Sequence, residues 1–145
     1  MFIQQISVFL ENKKGTLREL TELLGKANIN ILALSLADTS GFGIARCVVK
    51  SGDVEKVRTL LKENGYISRK NRVVCVRIPN KPMAFSSILS ILEDNDIFVE
   101  YAYSFCQSTL NDAVILIRPS DKDKCEKVLE ENGVTMVSQD EVDKF

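Results

Sequence analysis

Laid over itself with a shift of 68 residues, this sequence keeps meeting its own pattern from one end to the other. Asn12-Lys13 falls on Asn80-Lys81, Val8 on Val76, Leu24 on Leu92, Ile29 on Ile97 and Ala45 on Ala113. Further along, Asp53 meets Asp121, Lys56 meets Lys124, and Leu61-Lys62-Glu63-Asn64-Gly65 meets Leu129-Glu130-Glu131-Asn132-Gly133. No gap is needed between these points. A register held over such a span implies two copies of one supersecondary unit. The short polar run "SRKN", Ser68 to Asn71, sets the expected boundary and divides the chain into units at 1–70 and 71–145.

Each copy reads as strand, helix, strand, strand, helix, strand. In the first, Gln4–Leu10 is a strand. Leu17, Leu20, Leu23, Leu24 and Ala27 then recur at helical spacing over Thr16–Ala27. Thr16 and Glu19 have the spacing of a capping box. Asn30–Leu36 and Ile44–Val49 are strands about the turn-forming segment "DTSGFG". A second helix from Asp53 carries Val54, Val57, Leu60 and Leu61 and ends at Asn64-Gly65, a pair suited to a left-handed cap. Tyr66–Ser68 is a short fourth strand. The second copy gives Val73–Ile78, Met83–Asp94, Ile97–Ser104, Ala113–Ile117, Lys122–Asn132 and Thr135–Val137. The expected class is α+β: two ferredoxin-like βαββαβ units, each an antiparallel four-stranded sheet with two helices on one face. "VVCV", "ILALSLA" and "AVILI" are apolar on both strand faces, so the face away from the helices also needs a cover. The sister unit or a second chain would provide it.

Composition removes several kinds of function. With 19 Lys+Arg against 20 Asp+Glu the net charge is −1, without the clustered positive charge of a nucleic-acid binder. The apolar runs are strand-sized, short of the roughly 20 residues a membrane span needs. No basic segment followed by an apolar core opens the chain, so a cytoplasmic protein is expected. Cys47, Cys75, Cys106 and Cys125 stand singly, and buried reduced thiols suit them better than a metal or redox site. Histidine is absent, which removes the commonest general base and metal ligand. No nucleophile with an activating base is visible, nor a cofactor or metal motif, and the expectation is a protein that is not an enzyme.

Asn12-Lys13-Lys14-Gly15-Thr16-Leu17 between strand and helix, followed by "ANINILALS" from Ala27 to Ser35, resembles the ACT domain. That resemblance spans nearly the whole chain as a tandem pair. The family's turn commonly reads Asn-x-Pro-Gly-x-Leu, with a second strand opening on Asn-Ile. Here Lys14 replaces the proline in the first copy. The second copy keeps the proline in Asn80-Lys81-Pro82 but has Met83 at the glycine and Phe98 at the second asparagine. The resemblance implies a small-molecule regulatory module that senses amino acids, with its ligand at an interface between ACT units. The expected candidates are then Asn12, Gly15, Thr16, Leu17, Asn30 and Ile31 in the first copy, and Asn80, Met83 and Phe98 in the second.

The chemistry of these residues suits an α-amino acid. Unpaired N–H groups and a partial positive charge at a helix N-terminus attract a carboxylate near Gly15, Thr16 and Leu17. Asparagine offers a donor and an acceptor without a charge, so Asn12 and Asn30 suit either end of the ligand. Turn and capping chemistry explains Asn12 and Asn80 equally well. Met83 and Phe98 suit either a structural half or an apolar wall. The glycine-rich "ADTSGFG" leads into a strand rather than a helix, which makes it a hairpin turn and not a phosphate loop. The expected function is a non-catalytic amino-acid sensor, a homodimer in the simplest case. The alternative is a regulatory subunit docked on a biosynthetic enzyme such as an acetolactate synthase, with ligand binding weak or lost.

Overall fold

The computed structural model describes residues 1–106 and 111–145. The chain forms two compact units, one of Gln4–Asn71 and one of Met1–Ile3 with Arg72–Phe145. The described residues hold six strands: β1 Ile3–Glu11, β2 Ala33–Thr39, β3 Phe42–Val48, β4 Ile67–Pro79, β5 Val99–Ser104 and β6 Asp112–Pro119. The helices are α1 Thr16–Lys26, α2 Val54–Glu63, α3 Ala84–Asp94, α4 Lys122–Glu131 and the single turn α5 Gln139–Val142. The pairs β1–β3, β2–β3, β4–β6 and β5–β6 are all antiparallel, and the α+β class expected above is what the chain adopts.

In the first unit β3 lies between β2 and β1. Ile6, Val8 and Leu10 alternate onto one face of β1 and meet Leu20 and Leu24 of α1 and Val57 and Leu61 of α2. Leu17, Leu23 and Ala27 complete the stripe as partly buried neighbours. The second unit, ordered β4-β6-β5, repeats this core 68 residues on, with Val74, Val76 and Ile78 against Ile88, Leu92, Cys125 and Leu129. Burial pushes the thiols of Cys47 and Cys75 up to about 12 and that of Cys125 to about 11. Neutral thiols packed among hydrocarbon account for those three positions. Cys106 is exposed.

The repeat also governs the bends between elements. Every described non-glycine residue with positive φ has a counterpart one repeat away: Asn28 (59°) with Asp96 (54°), and Met83 (69°) with Gly15 (88°). Asn28 and Asp96 end α1 and α3. The next N–H in each case, Ile29 and Ile97, reaches back to the carbonyls of Leu24 and Leu92 at 3.0 and 2.9 Å. Gly65 and Gly133 do the same for α2 and α4, with Tyr66 and Val134 bonding to Leu61 and Leu129. This is the six-to-one bond of a left-handed helix terminus.

Several sequence expectations need correction. Ser68–Asn71 does not separate two strands but lies inside the 13-residue β4, and the two compact units divide at Asn71/Arg72 within it. None of the four residues is Gly or Pro, and their polar groups find partners, Lys70 with Glu55 at 2.9 Å and Asn71 with the Ser7 hydroxyl at 3.2 Å. The expected strand Thr135–Val137 is reduced to a single bridge between Met136 and Val76. It is followed by α5, whose start is the capping box Ser138–Glu141. Nor is the pairing register the same throughout. Ile6 faces Cys47, but Val74 faces Ile117 rather than Ile115, a slip of two residues. An even slip leaves every side chain on its own face, which is why the two cores still match.

Candidate functional site

The first β-to-α turn of Gln4–Asn71 is built from a few backbone bonds. Lys13 N–H donates to the Glu11 carbonyl at 2.8 Å, Thr16 N–H to the Lys13 carbonyl at 3.4 Å and Glu19 N–H to the Gly15 carbonyl at 3.0 Å. Gly15 is the cap residue of α1 and makes no side-chain capping bond. The Thr16–Glu19 capping box is therefore not formed. Thr16 lies one position too far into the helix, and its hydroxyl donates back to the carbonyls of Glu11 and Lys13 at 3.0 and 3.1 Å. A Cβ built on Gly15 would meet nothing within 4 Å, so the residue is needed for its φ of +88° and not for space.

Beside this turn lies a pocket of about 240 Å³. Asn12, Gly15, Thr16 and Leu17 line it together, joined by Leu36, Asp38 and Gly43 from the β2–β3 hairpin. Strand register explains the meeting. Gly43 of β3 is paired with Leu10 of β1 on one side and with Asp38 of β2 on the other. That row ends two residues short of Asn12, whose amide donates to the Asp38 carboxylate at 3.0 Å. At the mouth, Lys13 and Glu11 form an exposed pair at 2.6 Å. Their hydrogen bond and mutual charge hold the Glu11 carboxyl below its ordinary value and the Lys13 amine above its own.

The pocket thus presents a helix N-terminus, an uncharged amide and a carboxylate to one small volume. Anions are favoured at the first and cations at the last. Asp38 was not among the sequence candidates, because its place depends on the hairpin closing in two residues, Ser40-Gly41, rather than over the longer turn expected. Had the tight turn been read from Ser-Gly followed by the alternating "FGIARCV", the register would have brought Asp38 beside the Asn12 turn.

The remaining candidates lie elsewhere. Asn30 is exposed and Ile31 packs against the first core; neither lines this pocket. Asn30 precedes β2, which begins at Ala33, and is not inside a strand. In the second unit, Asn80 opens a turn that repeats the first bond for bond: Lys81 N–H to Pro79 carbonyl at 2.9 Å, Ala84 to Lys81 at 3.4 Å and Ser87 to Met83 at 2.9 Å. Met83 occupies the left-handed position with its side chain 72% exposed. Phe98 is 70% exposed and lines a shallow groove with Leu89, Glu93 and Asp96, which Met83 does not reach.

Comparison with known proteins agrees with this architecture. The chain is similar to a crystal structure of protein BT0572 from Bacteroides thetaiotaomicron, at 40% identity over 100% of this chain and 98% of that one, with a TM-score of 0.89. It shares its fold with the ligand-free regulatory subunit of aspartate kinase from Thermus thermophilus, at 12% identity over 90% of each chain and a TM-score of 0.65. A structure of aspartokinase alpha and beta subunits matches at 16% identity over 88% of this chain and 90% of that one, with a TM-score of 0.62. No curated protein matches the sequence. Residues 1–145 match the family described as the ACT domain pair, and with its repeated turns and duplicated core this chain belongs to that family.

Proposed function

We propose that this protein is a non-catalytic regulator that binds a small amino acid beside the β1–α1 turn and passes the binding event to a partner. The observation that carries this reading is the convergence of Asn12, the α1 N-terminus and Asp38 on one pocket. The ligand carboxylate takes the amides that open α1, and its ammonium pairs with Asp38, displacing or sharing the Asn12 amide. A volume near 240 Å³ is below the roughly 300–1,000 Å³ of drug-sized sites, which favours a small ligand. Each half acts in this reading as a ferredoxin-like βαββαβ module in the cytoplasm, and the regulatory state is a homodimer. Asn30, Ile31 and the second-unit residues Asn80, Met83 and Phe98 take no part in this pocket in this reading. Regulation requires the ligand to bind one assembly better than another, because equal affinity for both shifts nothing.

A second reading is docking on a biosynthetic enzyme, as a regulatory subunit does. The exposed side chains of Met83 and Phe98 favour it, and solved structures with this fold include a regulatory subunit of aspartate kinase. A thermal-shift screen against the twenty amino acids separates the two. Ligand at about a hundred times its dissociation constant adds roughly 2.7 kcal/mol, or about 5–10 °C in melting temperature for a chain of this size. The sensor reading expects one or a few hits that disappear in Asp38→Asn and Asn12→Ala. A screen with no hit sinks it and leaves the docking role.

A further inference from the structure

We propose that the first unit carries a second ligand site, for a small organic cation with an aromatic or aliphatic body, in the groove where the end of β1, the start of α1 and the α2–β4 turn meet. This groove encloses about 520 Å³ and is walled by Phe9, Phe42, Tyr66 and Ile67, with Glu11 and Glu19 at its edge. Its size, and a lining that sets aromatic and aliphatic side chains beside the polar Thr16, Asn64 and two glutamates, are those of a small-molecule pocket.

The aromatic wall is in the open. Phe42 is 41% and Ile67 68% exposed, and the Phe9 and Phe42 rings lie 5.9 Å apart, tilted by 47°. Charge then selects the ligand. The Glu11 carboxylate is taken by Lys13 at 2.6 Å, but Glu19 forms no ion pair among the described residues. Its charge, after burial, helps push the Tyr66 phenol up, so the carboxylate and the ring share one field. The Phe9 ring already receives a cation, the Arg69 guanidinium at 6.0 Å from its centroid. That distance is within the reach of a cation–π contact. An ammonium beside Glu19 with its apolar body on Phe42 and Tyr66 satisfies both features.

The internal repeat separates what the fold needs from what it does not. At the equivalent places 68 residues on, the second unit keeps Asn132 and Gly133, counterparts of Asn64 and Gly65. Both asparagine amides donate to a helix carbonyl at 2.8 Å, and both glycines have positive φ. Phe9, Glu11, Glu19 and Tyr66 are replaced there by Arg77, Pro79, Ser87 and Val134. The same turn is thus made without these aromatic and acidic groups, although Tyr66 also packs on the first core; the turn itself does not call for them.

This groove shares Leu10, Glu11 and Thr16 with the pocket beside Asn12, so the test must tell the two apart. The full chain is titrated with 2-phenylethylamine at pH 7 and followed by amide NMR, with 2-phenylethanol as the uncharged control. Saturable shifts at Glu19, Phe42, Tyr66 and Ile67 are expected, with the alcohol weaker by about tenfold or more. Glu19→Gln, an exposed change that a melting curve will show to be folded, weakens the amine by a similar factor, while Asp38→Asn leaves it within about twofold. Absence of saturable shifts up to about 10 mM amine, equal binding of the alcohol, or unchanged affinity in Glu19→Gln overturns the proposal. Loss of amine binding in Asp38→Asn with Glu19→Gln unaffected overturns it too, since the amine would then occupy the other pocket.

Discussion

Two residues one repeat apart, Gly15 and Met83, hold the same left-handed backbone at φ 88° and 69°. An L-residue there suffers a clash of about 1–2 kcal/mol that glycine avoids, offset in part by the entropy glycine loses on folding. Gly15→Ala is therefore expected to destabilise the protein by about 1 kcal/mol and Met83→Gly to stabilise it by up to about 1 kcal/mol, read from urea unfolding. The buried thiols make a second residue-level test. Cys47 and Cys75 stay protonated in the fold to about 12, against 9.0 for a free thiol. Their folded values are raised, so the contribution is complete below pH 9 and lost as the pH climbs towards 12. Each thiol steepens the loss by up to about 1.4 kcal/mol per pH unit in that window. Unfolding curves at pH 8 and 10 should diverge less in Cys47→Ala than in the parent. At pH 8 in the native state, a thiol reagent should label Cys106 and leave the three buried cysteines until denaturant is added.

The helices owe their place to apolar stripes, and those were legible. Leu24 and Leu92 sit at the same point of α1 and α3, each 1% exposed. Truncating either to alanine should cost about 2–5 kcal/mol, with similar values for the two if the cores relax alike. Stripes, the Asn64-Gly65 cap and the turn at Asn12 could be read because each rests on neighbours in sequence. What escaped reading depends on partners far along the chain. Ser68–Asn71 looks like a linker, but it lies in a strand whose polar side chains are satisfied by Glu55 and Ser7. The two-residue slip of β6 leaves the hydrophobic pattern unchanged and so leaves no trace in it. Asn28 and Asp96 could have been noticed as left-handed caps, since short polar side chains tolerate that backbone better than most. Four of the pocket's residues were named from the β1–α1 turn itself; Asp38 needed the hairpin register.

Across the whole molecule, chain order and structural order part company. Met1–Ile3 belongs with Arg72–Phe145. Phe2 packs on the second core, Arg72 stacks over its ring at 5.1 Å, and the Met1 ammonium pairs with Glu126. A fragment starting at Arg72 lacks all three and begins in the middle of β4. It should melt well below the full chain, and Phe2→Ala in the full chain should reproduce part of that loss, about 2–3 kcal/mol. A fragment that melts like the intact protein would mean that the second unit does not need its first three residues.

That arrangement also sets a timetable for the ribosome. Gln4–Asn71 is a continuous stretch, so every residue of that unit has left the exit tunnel before the far half is fully made. Met1–Ile3 must wait for the far half, with which they form their unit. At about 5–20 residues per second the first partner of Phe2 follows it some 4–14 s later. In that interval the Phe2 side chain lacks the second-unit core on which it packs.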